Sequence, residues 1–172
     1  VLDTLGMFDA AFGLPDQMAA AVELASSVDG LPDASAVTSI LVLGMGGSGI
    51  SGDIMALVAS EHGRVPVEVS RHYELPAHVG PHTLVMAVSF SGDTEETVVA
   101  AEAAVAAGAP VVAVTTGGAL GDLVSEAGGG VCGLPKGIPL PRAALGAVGL
   151  TPVVLATRLG LLNDTAAAVD AA

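Results

Sequence analysis

The stretch ILVLGMGGSGISGD, residues 40–53, decides the fold. An apolar, partly β-branched run from Ile40 to Leu43 stops at four glycines among six residues: Gly44, Gly46, Gly47 and Gly49. Helical spacing is expected from Ile50. The order is strand, tight glycine turn, helix. Glycine lets a ligand approach the main chain closely. A helix N-terminus offers unpaired N–H groups and the positive end of a dipole. The stretch therefore reads as an anion site, most often one for phosphate.

Working outward, the same alternation recurs. Thr38–Leu43 predicts a first strand, with a helix after it to about Ser60. Val65–Val69 predicts a second strand, and Thr83–Val88 a fully buried third. An Ala-rich helix then runs to Gly108. Pro110–Thr115 is a fourth strand, Leu120–Ala127 a short helix and Val131–Leu134 a fifth strand. Arg142 opens a last apolar helix, bent at Pro152. Strands that alternate with helices, each strand continuously apolar, mean βαβ units and a parallel sheet. Residues 1–36 form an acidic helical lead, with Met18, Ala21, Val22 and Ala25 at helical spacing and Pro15 in a first turn. Residues 37–172 form the main domain.

Composition narrows the partners. The 172 residues suffice for one compact domain. Hydrophobic residues make up 52% and aromatics 2%, so the core must be built of small side chains, as in a sheet covered on both faces. Mean hydropathy is +0.72, but the longest uncharged run, Ala143 to Thr157, is too short to span a bilayer. The N-terminus has no basic region and does not read as a signal peptide. Net charge is −13 with only five basic residues, which argues against binding nucleic acid or anionic membrane. With so few cations, an anion must be held by backbone N–H groups, hydroxyls and helix dipoles. The single Cys132 excludes an intrachain disulfide, fits a reducing, cytoplasmic compartment, and reads as a small buried residue. The chain starts at Val1 and ends in AAAVDAA without a closing turn, as a piece of a longer protein would.

Two turns carry chemistry. Gly44-Met45-Gly46-Gly47-Ser48-Gly49 satisfies G-x-G-x-x-G after a strand, the dinucleotide fingerprint. That reading wants an acid at the end of strand two. Glu68 comes 19 residues after Gly49 but inside the strand, which ends at Ser70-Arg71, a pair that suits a 2′-phosphate. The second turn, Ser89-Phe90-Ser91-Gly92-Asp93-Thr94, places three hydroxyls where a helix begins. Hydroxyls and turn N–H groups satisfy a phosphate without a cation. One of them is enough to cap a helix, so three with a glycine point to a ligand.

The segments GMGGSGISGD, RHYELP, AVSFSGDTEET and PLPRAALG run in order from Gly44 to Gly146. Together they resemble the first half of the bifunctional phosphoglucose/phosphomannose isomerases, members of the sugar isomerase (SIS) domain superfamily. The resemblance implies a three-layer αβα sandwich around a five-stranded parallel sheet, doubly wound as in flavodoxin. It implies that Gly46, Gly47 and Ser48 contact the sugar phosphate, and that Ser89, Ser91 and Thr94 bind its phosphate. It makes Arg142 the catalytic residue that stabilises the enediolate between aldose and ketose 6-phosphates. It implies no cofactor, a second SIS domain and a homodimer. Asp93 departs from the family, which more often has Asn there; a helix-capping role is expected for it. The family's Glu base, its ring-opening His and a further Lys lie in its second half, and no residue here matches them.

Other ionisable groups read as surface. Glu95 and Glu96 suit the first turn of a helix, and His62, His72, His78 and His82 fall in turns or loops without metal-ligand spacing, so no metal is expected. The last helix, Ala143–Leu162, has few polar positions and is expected to pack on another domain or subunit. The expectation is a phosphosugar-binding domain of an aldose–ketose isomerase that lacks its own base. The alternatives are a non-catalytic phosphosugar sensor and an NADP-binding Rossmann domain.

Overall fold

Five apolar runs become five strands of one sheet in a computed structural model that describes residues 3–163. The AAAVDAA tail lies outside the described residues. In chain order the elements are α1 (Met7–Phe12), α2 (Leu14–Ser26), β1 (Ser39–Gly44), α3 (Gly46–His62), β2 (Val67–Ser70) and β3 (Thr83–Val88). There follow α4 (Glu95–Ala106), β4 (Val111–Thr115), α5 (Gly118–Glu126), β5 (Val131–Gly133) and α6 (Leu145–Arg158). The strand order is β2-β1-β3-β4-β5, and every pairing is parallel. This is the flavodoxin-like order, whose switch point lies between β1 and β3.

Side-chain alternation assigns the faces. Ile40, Val42, Leu84, Met86 and Val112 bury themselves with residues of α2, α3 and α6. Leu41, Leu43, Val85 and Ala113 do so with Ala100, Ala101 and Ala104 of α4 and with Leu120 and Val124 of α5. The result is the three-layer sandwich expected from the sequence.

The sheet-facing side of α3 explains the glycines after the strand. A Cβ on Gly52 would lie 3.0 Å from Val69 Cγ2 and 3.4 Å from Val42 Cβ. The helix therefore sits unusually close to the sheet. It also starts at Gly46 and not at Ile50, so the glycine cluster forms the first turn of the helix itself. Packing on the sheet outweighs the poor helix propensity of glycine. Strand β2 begins at Val67, because Pro66 cannot donate to a ladder.

Two helices show how the N-terminal lead and the C-terminal helix pack within the chain. Met18 and Val22 are exposed, and the buried stripe of α2 is Gln17, Ala21 and Ala25. Helix α6, expected to pack on another domain or subunit, packs against α2 and α3 of the same chain. Its small residues allow this. A Cβ on Gly146 would meet the Leu14 carbonyl oxygen at 2.9 Å, and one on Gly149 would meet Ile54 Cδ1 at 2.8 Å. Helix α6 continues through Pro152.

Candidate functional site

The first turn passes from β1 to α3 through a single residue, Met45. Gly44 is closed in by its neighbours, since a Cβ there would lie 3.0 Å from the Ser48 carbonyl oxygen and 3.1 Å from that of Val88. Gly46 adopts φ 51°, a left-handed conformation that glycine accepts without strain. Met45, at the N-cap, supplies no side-chain acceptor, so the first N–H groups of α3 are left uncapped by it. Ser48 is buried, and its Oγ accepts a hydrogen bond from the Phe90 amide at 3.3 Å. That bond joins the first turn to the second across the switch point.

The second turn is built largely from its own hydroxyls. Ser89 is fully buried at the end of β3. Its Oγ accepts from the Gly92 amide at 3.1 Å and pairs with Thr94 Oγ1 at 2.9 Å. Ser91 is exposed, and its Oγ accepts from the Asp93 amide at 3.2 Å. None of the three caps α4: Thr94 stands at the N-cap without a side-chain cap bond. The two helices that flank the switch point, α3 above one face and α4 above the other, thus both present N-termini free of side-chain caps. Two dipole ends and a group of hydroxyls suit a dianion without any cation.

Asp93 does cap a helix, but the neighbouring one. Its Oδ1 accepts from the Ala119 amide at 3.0 Å in the first turn of α5. The third turn, Thr115-Thr116-Gly117-Gly118, was not singled out in the sequence, although hydroxyls and glycines after an apolar strand repeat the signature of the second. Thr116 Oγ1 donates to the Phe90 carbonyl at 2.7 Å, and the Leu120 amide donates to that of Gly92 at 2.9 Å. A Cβ on Gly92, where φ is 81°, would collide with the Gly117 carbonyl. The third turn is the mould in which the second is set.

Arg142 lies in a 3-10 turn, Pro141–Ala143, just before α6. The backbone of this turn rests on the first glycine turn: a Cβ on Gly47 would lie 3.7 Å from the Arg142 Cα. The turn buries Ala143 and Ala144 and leaves Arg142 exposed, not folded into a bend. Among the described residues no carboxylate or carbonyl engages its guanidinium. Arg71, in contrast, is occupied. It donates to the Gly49 carbonyl at 3.1 Å and pairs with Asp53. That leaves it poorly placed to read a 2′-phosphate.

The remaining ionisable groups are peripheral. Tyr73, in the loop after β2, has its phenol raised above the ordinary value by partial burial and then by the Glu95 and Glu96 carboxylates at the start of α4. His78 faces Glu68 at 3.2 Å, and His82 Nδ1 lies 3.0 Å from the Ala36 carbonyl. Burial pushes the Cys132 thiol up to about 11, which suits a packing role and not a nucleophile. No helix among the described residues is long and apolar enough to cross a membrane.

Comparison with known proteins fits this geometry. The chain is 38% identical over 157 residues to the bifunctional phosphoglucose/phosphomannose isomerase of Caldicellulosiruptor bescii, covering 91% of this chain and 46% of that protein. It is 32% identical over 108 residues to the D-glucosamine-6-phosphate 4-epimerase of Sulfolobus acidocaldarius, covering 62% of this chain and 34% of that one. The chain thus spans less than half the length of these relatives. Among solved structures, the Vibrio vulnificus NanR protein complexed with ManNAc-6P superposes with a TM-score of 0.66 at 23% identity, over 87% of this chain and 60% of that one. At that identity the likeness is one of fold. The SIS domain is matched over residues 34–127, from the turn before β1 to the end of α5, and the chain belongs to the SIS domain family.

Proposed function

We propose that the chain is the phosphosugar-binding domain of an aldose–ketose isomerase that interconverts glucose 6-phosphate or mannose 6-phosphate with fructose 6-phosphate. The observation that carries this is the pair of helix N-termini without side-chain caps at the switch point, with Ser89, Ser91 and Thr94 between them. Isomerisation moves a proton between C1 and C2 through an anionic enediolate. In this reading the hydroxyls and amides of the second turn hold the phosphate, while Gly46, Gly47 and Ser48 form the wall against which the sugar lies. Arg142, whose backbone lies against Gly47, stabilises the enediolate charge through its guanidinium. General acid–base groups would come from outside this chain, from a second SIS domain and from a partner subunit. The relatives are more than twice as long as the matched segment, which supports that division of labour. The single buried Cys132 supports a cytoplasmic setting.

The test is calorimetric titration with fructose 6-phosphate, beside a turnover assay. The wild-type chain is expected to bind and not to turn over. Ser91→Ala with Thr94→Ala removes two hydrogen bonds to a charged group and should weaken binding about a hundredfold with the melting temperature little changed. Unchanged affinity in the double variant would return these hydroxyls to a purely structural role. A second reading is a non-catalytic phosphosugar sensor, a role the same fold and the same hydroxyl-lined turn would serve without a base. It would be preferred if the natural gene carried a DNA-binding module and no second SIS half.

A further inference from the structure

Gln17 is a polar residue in an otherwise small and apolar stripe. It occupies α2 in line with Ala21 and Ala25, and all three are buried. Its amide reaches two other elements. Nε2 donates to the Ala143 carbonyl at 2.8 Å and to the Ala10 carbonyl of α1 at 3.1 Å. With both protons directed at carbonyls the amide cannot be flipped, since Oε1 would then oppose two acceptors. Oε1 itself is buried without a partner. An unpaired buried acceptor costs free energy, and an apolar side chain at this position would avoid that cost. What offsets that cost is the pair of carbonyls that Nε2 holds.

Ala143 follows Arg142 directly, in the 3-10 turn whose backbone rests on Gly47. Among the described residues the backbone bonds that end in this segment are local: the Ala143 amide to the Leu140 carbonyl, the Ala144 amide to the Pro141 carbonyl, and the Val148 amide to the Ala144 carbonyl. The Gln17 bond to Ala143 spans 126 residues of chain and fixes the turn to α2. Where α2 meets α6 there is no slack, because the Gly146 position is filled by the Leu14 carbonyl and Gln17 Cβ.

We infer that Gln17 is a positioning residue for Arg142: by holding the Ala143 carbonyl from α2, it fixes the Arg142 backbone against the first glycine turn and so sets the point from which the guanidinium reaches. The inference rests on the reading of Arg142 as the enediolate-stabilising group. Such a group acts only if its position is set before the charge develops, and small displacements are felt strongly. Nothing in the sequence pattern of the glycine or serine turns points to Gln17, which lies in the N-terminal lead.

The test uses the full 172-residue chain, titrated with two ligands. Arabinonate 5-phosphate carries a carboxylate where the enediolate charge would form, so it reports on Arg142. Inorganic phosphate reports on the second turn alone. Gln17→Met keeps the volume and removes both donors. It should weaken aldonate binding on the order of tenfold and leave phosphate binding within about twofold. In an Arg142→Ala background Gln17→Met should have no further effect. Equal weakening of both ligands, additive losses with Arg142→Ala, or unchanged aldonate affinity in Gln17→Met would each overturn the inference. If Gln17→Met does not fold, Gln17→Leu replaces it; failure of both would make the role structural and overturn the inference too. Should Arg142→Ala alone leave aldonate affinity unchanged, it is the reading of Arg142 that falls, a result distinct from a failure of Gln17 to influence it.

Discussion

Three βα turns meet at the carboxyl edge of this sheet, and they are finished in two ways. Helices α3 and α4 begin without a side-chain cap, whereas the first turn of α5 is closed by Asp93 from the turn beside it. All three helices follow apolar strands through short, glycine-containing turns, so length and composition do not separate them. What separates them is position. The open pair flanks the switch in strand order between β1 and β3, where a crevice forms; the closed one lies a strand further on. An unpaired N–H group at a helix start seeks a partner. Where the chain supplies one, the turn is structural. Where it supplies none and instead gathers hydroxyls, the turn is ready for an anion.

The contrast is broken most severely at Gly92. A side chain there would run into the Gly117 carbonyl and would also have to adopt φ 81°. Both the second and the third turn would have to move. Gly92→Ala should lower the unfolding free energy by about 3–5 kcal/mol, from overpacking together with left-handed strain. Urea denaturation measures it. A loss below about 1 kcal/mol would mean that the two turns are not moulded on each other.

Asp93 offers a sharper cut, because one residue serves both sides of the contrast. Its carboxylate closes α5, and it stands next to the hydroxyls assigned to the phosphate. Asp93→Ala removes the acceptor for the Ala119 amide and should cost about 1 kcal/mol of stability. Asp93→Asn keeps an acceptor and removes the charge. Its stability should stay near wild type, while phosphate affinity rises a few-fold. Equal losses in the two variants would mean that charge, not the acceptor, closes α5.

The strands were legible because a parallel sheet buried on both faces demands continuous apolar runs. Thr83–Val88 is the clearest case, with every residue of β3 buried. The start of α3 was not legible. Gly46, Gly47 and Gly49 argue locally against a helix, and only the close approach of Gly52 to Val69 and Val42 explains why one forms. The second turn could be recognised from its hydroxyls, but its dependence on Thr116 and Gly117 could not, since that contact joins residues 26 apart. Gln17 was hidden for a similar reason. A polar residue on a helical stripe looks like surface until a carbonyl 126 residues away is seen to need it.

Arg71 gives the smallest effect and separates the two readings of the first turn. In a dinucleotide domain a basic residue after the second strand would reach outward to a 2′-phosphate. Here the guanidinium turns back to the Gly49 carbonyl and to Asp53, so it buttresses α3. Both partners of the ion pair are substantially exposed, with side chains 41% and 59% accessible, so solvent screens most of their attraction. Arg71→Ala should therefore cost no more than about 1 kcal/mol, mostly the hydrogen bond to Gly49. It should leave fructose 6-phosphate affinity unchanged within about twofold, because the Arg71 guanidinium is engaged by the Gly49 carbonyl and Asp53. If the wild-type chain instead bound NADP tightly and Arg71→Ala abolished that binding without changing stability, Arg71 would be a ligand contact and the first turn a dinucleotide site after all.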